Sequence, residues 1–263
     1  QLEATPSCSF KTEDADGNLI DVQGTAPNIA EVSSGGVWTN WTCAYTMVAG
    51  DTEGVVYYKI DANDLAGNST VDVAGNPTSQ DTTTSITFDQ TIPTLSGVTI
   101  ASTNTDWSDW AQEGETITVS FTSSEPLSPD PTCSFTSGGD ALPEPGDPTD
   151  PPRVTVTDTS SGARTGWTCS YDVVTGDTAG LVGFTIDAFD RSGNPLGQVN
   201  QTAASTTMTT DMTAPTLTVS ASTGTSRPDH VKAGDTVTLT LDSSGQQLEA
   251  TPSCSFKTED ADG

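Results

Sequence analysis

The sequence predicts an all-β protein built from repeated modules, and three observations carry that prediction. Residues 247–263 repeat residues 1–17 identically, which gives a period of 246 residues. Apolar residues come in short alternating runs, such as Ile117, Val119 and Phe121, and this is the pattern of half-buried strands. Turn-forming residues punctuate the chain about every ten residues, with no helical periodicity of useful length. Each module is long enough to form one β-sandwich core.

A weaker period lies inside the first one. Asp89–Ser102 (DQTIPTLSGVTIAS) matches Asp211–Ser222 (DMTAPTLTVSAS) at an offset of 122 residues, and matching Gly-[Glu/Asp]-Thr and Pro-x-Cys-Ser-Phe segments follow each. The 246-residue period therefore contains two related modules of 122 and 124 residues. Fixed periods of this kind indicate a linear array in which each module contacts mainly its neighbours.

These correspondences divide the chain into three parts. Residues 1–88 are expected to be the C-terminal part of one module, residues 89–210 a complete module, and residues 211–263 the N-terminal part of the next. The chain is thus expected to be a portion of a longer repetitive protein.

The charge of the chain limits its partners. With 8 Lys and Arg against 36 Asp and Glu, the formal net charge is −28. Nucleic acids and anionic membranes require a cationic surface, so neither is an expected partner. No transmembrane segment is predicted, and cations are the natural ligands. The alternative role of the acidic surface is to keep a long polymer soluble.

The cysteines occupy equivalent positions in the modules. One position lies in Pro-x-Cys-Ser-Phe and the other in Trp-Thr-Cys-x-Tyr. This correspondence predicts one disulfide per module, Cys8–Cys43 and Cys133–Cys169, with the partner of Cys254 outside the chain. Stable disulfides imply an oxidising compartment, and the predicted location is extracellular or at the cell surface.

Three Asn-x-Ser/Thr sequences are candidate N-glycosylation sites. Asn68 and Asn200 lie in polar turn or loop segments, whereas Asn40 lies at a strand start. In a source that glycosylates secreted proteins, these residues are the expected carriers of N-linked glycans, and otherwise they are ordinary turn residues.

Two related segments place paired carboxylates before a Gly-Asn turn. They are Asp61–Asn68 (DANDLAGN) and Asp187–Asn194 (DAFDRSGN). One interpretation is a tight turn. The other is a calcium site at the module junction, because hard cations prefer several oxygen ligands. The candidate ligands are Asp61, Asp64, Asp187, Asp190, Asp89 and Asp211, with Glu125 as a further candidate that Gly245 replaces in the other module.

The sequence does not predict an enzyme. The single histidine, His230, lies in an Arg-Pro-Asp-His loop, and a lone exposed His is far more often a solvated side chain than a base. The sequence contains no nucleophile elbow or phosphate-binding loop, and no cofactor is required by this interpretation.

Five short motifs occur in a fixed order: Asp-x-Thr-x-Pro, Gly-Asp-Thr-Val-Thr-Leu-Thr, Trp-Thr-Cys-x-Tyr, Gly-Asp-Thr-x-Gly and Asp-x-x-Gly-Asn. Together they resemble the bacterial immunoglobulin-like repeats of giant surface proteins and adhesins. The resemblance implies a seven-strand β-sandwich per module, with modules strung end to end as stalks, spacers or adhesive fibres. The cysteine pair departs from the usual pattern of these repeats.

The predicted function is that of a non-enzymatic, extracellular structural repeat protein forming a fibril, stalk or spacer, with copies of itself as partners. One alternative is an adhesin whose modules bind a surface glycan or protein, for which Trp107 and Trp110 are the candidate contacts. A second alternative is the spacer region of a large secreted enzyme. One fold serves many roles, so the resemblance alone does not select among these functions.

Overall fold

The computed structural model describes residues 5–32, 40–69, 73–75, 86–142, 154–202, 206–245, 248 and 250–258. Every regular secondary-structure element within these residues is a β-strand. None of the described segments is a helix that is long and apolar enough to span a membrane. The chain is thus all-β, as the alternating apolar pattern predicts.

The chain separates into two compact units. The first contains Gln1–Thr94, Ser123–Pro131 and Asp187–Gly197, and the second contains Leu95–Thr122, Thr132–Ile186 and Gln198–Gly263. The module boundaries at residues 89 and 211 come from sequence correspondence and stay predictions.

The described residues of the first unit contain seven strands. They are β1 (Ser7–Glu13), β2 (Leu19–Asp21), β3 (Asn28–Glu31), β4 (Trp41–Ala44), β5 (Gly54–Asp61), β6 (Val73–Gly75) and β7 (Thr87–Phe88). One antiparallel sheet has the order β2-β1-β5-β6, with β7 also paired to β5, while β3 and β4 form a second antiparallel pair.

The pairing of β1 with β5 is the longest in this unit, and it ends at a glycine. Glu13 pairs with Val55, and the adjacent Gly54 has φ of 145°. A Cβ atom at Gly54 would lie 1.7 Å from the carbonyl oxygen of Glu13. Only glycine permits this close approach of the two strands.

In the part of the second unit that the structure describes, the first nine strands form two sheets. They are β8 (Leu95–Ser102), β9 (Trp110–Ala111), β10 (Thr116–Ser123), β11 (Thr132–Ser137), β12 (Asp140–Ala141), β13 (Val154–Asp158), β14 (Gly166–Asp172), β15 (Gly180–Asp187) and β16 (Met208–Thr210). The sheet orders are β13-β14-β10-β8 and β12-β11-β15-β16-β9. All pairs with a described register are antiparallel except β16–β9, which is parallel.

The core of the second unit follows the period of two residues that strands impose. In β10, Ile117, Val119 and Phe121 are buried while the intervening threonine and serine are partly exposed. In β14, Trp167 and Tyr171 are buried in the same alternation. Side chains of the two sheets also meet, because the rings of Phe135 and Tyr171 stack with centroids 5.8 Å apart.

The remaining described strands, β17 (Thr218–Thr223) and β18 (Val237–Asp242), form an antiparallel hairpin in the second unit. Residues 251–258 follow and contain no strand, although residues 5–12 have the same sequence and contribute most of β1. Within the described residues, β1 is paired with β2 and β5, whereas the second copy has no paired strand. The strand state of this sequence thus depends on a partner strand.

Candidate functional site

The two Asp-x-x-Gly-Asn segments form the same closed turn. Ser192 and Asn194 donate backbone N–H groups to Oδ1 of Asp190 at 2.8 and 2.9 Å, and Nδ2 of Asn194 donates to Oδ2 at 2.7 Å. Asp64 accepts the equivalent bonds from Ala66 and Asn68. Such side chain–backbone bonds are the usual means by which aspartate closes a turn. Both segments are therefore turns, one of their two predicted roles.

Asp89 is attached to the second of these turns. Its Oδ2 accepts a hydrogen bond from the Ser192 hydroxyl at 3.3 Å, and its carbonyl oxygen accepts one from Nδ2 of Asn194 at 3.2 Å. The residue after Asp89 contacts another carboxylate, because Gln90 donates its N–H to Oε1 of Glu53 at 2.8 Å. The start of the Asp-x-Thr-x-Pro segment is thus fixed between a turn and Glu53.

Backbone contacts of neighbouring residues hold Glu125 close to Asp89 and Asp190. The N–H of Ser124 donates to the carbonyl oxygen of Thr94 at 2.9 Å, and the N–H of Ser128 donates to that of Phe189 at 2.8 Å. A β-bridge also joins Leu127 to Asp190. These contacts hold the loop that carries Glu125 against the Asp190 turn, within the first compact unit.

The result is a cluster of three carboxylates. One oxygen each from Asp89, Glu125 and Asp190 lies within 4.8 Å of the other two. Asp190 is 1% exposed, and Oε1 of Glu125 is buried without a hydrogen-bond partner among the described residues. Burial raises the pKa of Glu125, and the charges of Asp89, Asp190 and Glu53 raise this pKa further. Three carboxylates in this arrangement are suitable oxygen ligands for a hard cation.

The other predicted calcium ligands lie elsewhere. Asp61 is exposed and forms an ion pair with Lys59 at 3.2 Å, while Asp187 and Asp211 are also exposed. Hydrogen bonds from the side chain and backbone of Asn68 hold the pKa of Asp64 below its ordinary value. Across the described ranges, these four aspartates join no group of three acidic, His or Cys residues with closely spaced ligand atoms.

Both predicted disulfides are present. Cys8 in β1 is bonded to Cys43 in β4, and Cys133 in β11 is bonded to Cys169 in β14, with Cα separations of 6.6 and 6.3 Å. Each bond joins strands of two different sheets. Cys254 is exposed and unbonded. Disulfides of this kind are typical of proteins in oxidising compartments.

The three candidate glycosylation sites are accessible. Asn40, Asn68 and Asn200 are all exposed. Asn68 also uses its side-chain amide in the turn, where Nδ2 donates to Asp64 at 2.8 Å. An N-linked glycan leaves one amide hydrogen, so a glycan at Asn68 and this hydrogen bond are compatible.

Two exposed tryptophans border an open groove in the second unit. Trp107 and Trp110 are 47% and 44% exposed, and Trp110 is the first residue of β9. The groove has a volume of about 960 Å³ and is also lined by Asn104, Glu113 and Glu115. Aromatic faces beside amide and carboxylate groups are a surface suited to a polar ligand with apolar faces.

His230 lies at the surface of the second unit. Its side chain is 77% exposed, and Nδ1 lies 3.0 Å from Oδ2 of Asp229.

A tyrosine–aspartate pair that was not predicted from the sequence recurs in both modules. The hydroxyl of Tyr45 donates to Asp51, and the hydroxyl of Tyr171 donates to Asp177. The sequence does contain a signal for this pair. Trp-Thr-Cys-x-Tyr and Gly-Asp-Thr recur at a constant spacing, and each motif contributes one member of the pair.

These observations define an all-β chain with several antiparallel sheets and two disulfides. Comparison with models of known protein families gives no match, and no curated protein is significantly similar to the chain.

Proposed function

We propose that this chain is part of a non-enzymatic, extracellular structural array of immunoglobulin-like sandwich modules, acting as a fibril, stalk or spacer. The observation that carries the proposal is the identical repetition of residues 1–17 at 247–263, with a second module between the two copies. A repeat of whole modules is the pattern of proteins whose function depends on length and on contacts between neighbours.

The recurrence of local structure supports a modular array. Each module has a disulfide between equivalent cysteines. Each also has a partly buried tyrosine–aspartate hydrogen bond and an Asp-x-x-Gly-Asn turn. Segments that shared only their amino-acid composition would not be expected to share the disulfide, the tyrosine–aspartate hydrogen bond and the turn.

An extracellular location is supported by the disulfides and by the exposed glycosylation sites. Mass spectrometry of native peptides tests this part of the proposal directly. We expect the cysteines to be oxidised in the pairs Cys8–Cys43 and Cys133–Cys169, and glycan mass on Asn68 or Asn200. Fully reduced cysteines in the native material, protected by rapid alkylation, would contradict an extracellular location.

Electron microscopy of the native material, at a resolution that shows side chains, tests the array itself. Continuous end-to-end modules are the expected result. Isolated flexible beads without axial or lateral order would reject a fibril and leave a stalk or an adhesin.

A specific observation favours a second candidate, an adhesin that binds a glycan. Trp107 and Trp110 border the groove described above, and Arg227 and His230 occupy the equivalent positions of the other module. An aromatic pair confined to one module favours ligand binding, because a purely structural residue would be expected in both.

Glycan-array binding by the chain tests the adhesin. We expect Trp107→Ala to abolish any saturable binding, and Arg227→Ala to leave it unchanged as the matched control. Absence of binding by the unmodified chain, or equal binding by both variants, would reject the Trp107 surface as a glycan site.

A further inference from the structure

We propose that the β17–β18 hairpin of one copy of this chain docks beside β4, in the first unit of a second copy. The docked hairpin completes a four-stranded sheet with the order β3-β4-β18-β17, in which the last two strands come from the other copy. The template is the sheet of the second unit with the order β13-β14-β10-β8. The inference names a contact between copies and rests on the repeated modules of the proposed function.

Sequence correspondence relates the two strand pairs to the template sheet. Trp41 and Cys43 of β4 correspond to Trp167 and Cys169 of β14. The segment that contains β18, Gly-Asp-Thr-Val-Thr-Leu-Thr-Leu, corresponds to the segment that contains β10. Among the described strands, β3–β4 and β17–β18 each form a separate two-stranded sheet. Each pair is therefore equivalent to one half of the four-stranded sheet.

The hairpin exposes apolar side chains that its counterpart buries. Val237 and Leu241 of β18 are 38% and 36% exposed. The corresponding residues of β10, Ile117 and Phe121, are 0% and 3% exposed. In the template sheet these side chains face the core between the two sheets. Because removal of apolar surface from water is favourable, the hairpin is stabilised when an equivalent core covers it.

The first unit has an opening where the template predicts the hairpin. A cavity of about 300 Å³ beside β4 is lined by Phe10, Cys43, Tyr45, Met47, Val56 and Ile86. Ile86 is 58% exposed, whereas its counterpart in the second unit, Met208, is fully buried. Tyr45 is partly exposed, whereas its counterpart Tyr171 is buried opposite Ile117 of β10. The first unit therefore has an apolar cavity at the place where β10 closes the core of the second unit.

The pairing of β10 with β14 predicts the register of the docked hairpin. These two strands are antiparallel, with Val119 opposite Cys169, and Leu239 and Cys43 correspond to that pair. A shift of one residue would turn the apolar side chains of β18 to the outer face, so the register is strongly specified. The expected opposite pairs, with the hairpin residue first, are Val237–Tyr45, Leu239–Cys43 and Leu241–Trp41.

The contact joins two different surfaces, and this decides the kind of assembly. Each copy has one hairpin and one β4 edge, so docking links copies head to tail and leaves one of each surface free at the ends of an open oligomer. Residues 251–258 of the donor copy repeat the sequence of β1 residues. The disulfide between Cys8 and Cys43 keeps β1 of the receiving copy in its place.

Analytical ultracentrifugation of the full 263-residue chain, at concentrations up to about 1 mM, tests the contact. We expect a series of oligomers that grows with concentration. Leu241→Asp places a charge opposite Trp41 in the apolar core, so association should require at least about a tenfold higher concentration. Thr240→Asp adds the same charge at the adjacent position, which faces outward, and should associate as the unmodified chain does.

Disulfide trapping tests the register in a Cys254→Ser background. Thr42→Cys and Thr240→Cys place two thiols at opposite positions, because the corresponding Thr168 and Ser120 are paired in the second unit. Mild oxidation should link separate copies through these thiols, as mass spectrometry of the peptides detects. Thr42→Cys combined with Thr238→Cys is the control, which is out of register by two residues and should form little of this link.

Three outcomes would overturn the proposal: a monomer at every concentration, equal association of the two aspartate variants, or equal linking by the two cysteine pairs. If Leu241→Asp does not fold by circular dichroism, the comparison of cysteine pairs decides. Failure of this contact is distinguishable from failure of the array. Native material with continuous modules and an isolated chain that stays monomeric would support the array and reject the contact.

Discussion

The hydroxyl oxygen of Tyr45 lies 2.9 Å from each carboxylate oxygen of Asp51. The same hydroxyl accepts a hydrogen bond from the N–H of Gly24 at 2.6 Å, and Asp51 accepts the N–H groups of Gln23 and Val48 at 2.6 and 2.8 Å. Residues 23–24 and 45–51, which are separated in the sequence, therefore meet at one buried carboxylate. The equivalent pair, Tyr171 and Asp177, occupies the same place in the second unit.

Replacing Tyr45 with Phe is expected to lower the free energy of unfolding by about 1–3 kcal/mol, because it removes a donor to a buried carboxylate and an acceptor for a backbone N–H. Urea-induced unfolding followed by circular dichroism measures the change. The hydroxyl of Tyr58 makes no hydrogen bond to a described residue, so Tyr58→Phe is the control and should stay within about 0.5 kcal/mol. Equal effects of the two variants would contradict a structural role for the pair.

The stability of the chain should fall in acid because of Asp51, which is 3% exposed. Burial acts to raise the pKa of Asp51, but hydrogen bonds from Val48, Gln23 and Tyr45 hold that pKa below its ordinary value. A carboxylate with a lowered pKa in the folded state stabilises the fold above the unfolded pKa of about 3.9, and this contribution is lost as pH falls through the folded value.

Urea unfolding at a series of pH values measures this contribution. We expect the Asp51→Asn chain to be less stable near pH 7 and to lose less stability than the unmodified chain below about pH 4. Asp16 is an exposed carboxylate, and Asp16→Asn should keep the full acid dependence. An unchanged acid dependence in Asp51→Asn would show that other carboxylates account for it.

The disulfide between Cys133 and Cys169 should make a large contribution to stability. It closes a loop of 36 residues, for which the chain-entropy estimate is about 4 kcal/mol. The double variant Cys133→Ser and Cys169→Ser is expected to lose that amount in urea unfolding. Cys254→Ser removes an exposed, unbonded thiol and is the control. A double variant as stable as this control would refute the expectation.

Gly54→Ala should disrupt the pairing of β1 with β5. The new Cβ would lie 1.7 Å from the carbonyl oxygen of Glu13, so the strands must separate or the backbone must shift. We expect a loss of about 2–4 kcal/mol in the free energy of unfolding. No other atom lies within 4 Å of the Cβ position at Gly197, and Gly197→Ala should therefore have a small effect. Hydrogen exchange of the β1 amide groups locates the disruption.

Much of the fold follows from local sequence patterns. Alternation in β10 predicts which side chains are buried, since the period of a strand decides which face each residue occupies. Equivalent motif positions predict both disulfides. These predictions succeed because each depends on spacing within one module.

Other features depend on contacts between segments that are distant in sequence. The paired carboxylates of Asp187–Asn194 are only three residues apart in the sequence, yet only Asp190 joins the cluster, because Asp187 is exposed at the end of β15. Glu125 joins it through the backbone contacts of Ser124 and Ser128. The second copy of the β1 sequence makes the same point, since identical residues form a strand only where a partner strand is present.

The two disulfides also set how far the chain can lengthen under tension. A pulling force applied at the chain ends cannot straighten the segment between two bonded cysteines, and the bonded cysteines are 35 and 36 positions apart in the sequence. At about 3.5 Å per extended residue, each bond withholds roughly 120 Å of contour length. A chain stretched in an oxidising medium is therefore shorter at full extension than the same chain after reduction, by an amount that single-molecule force measurements resolve.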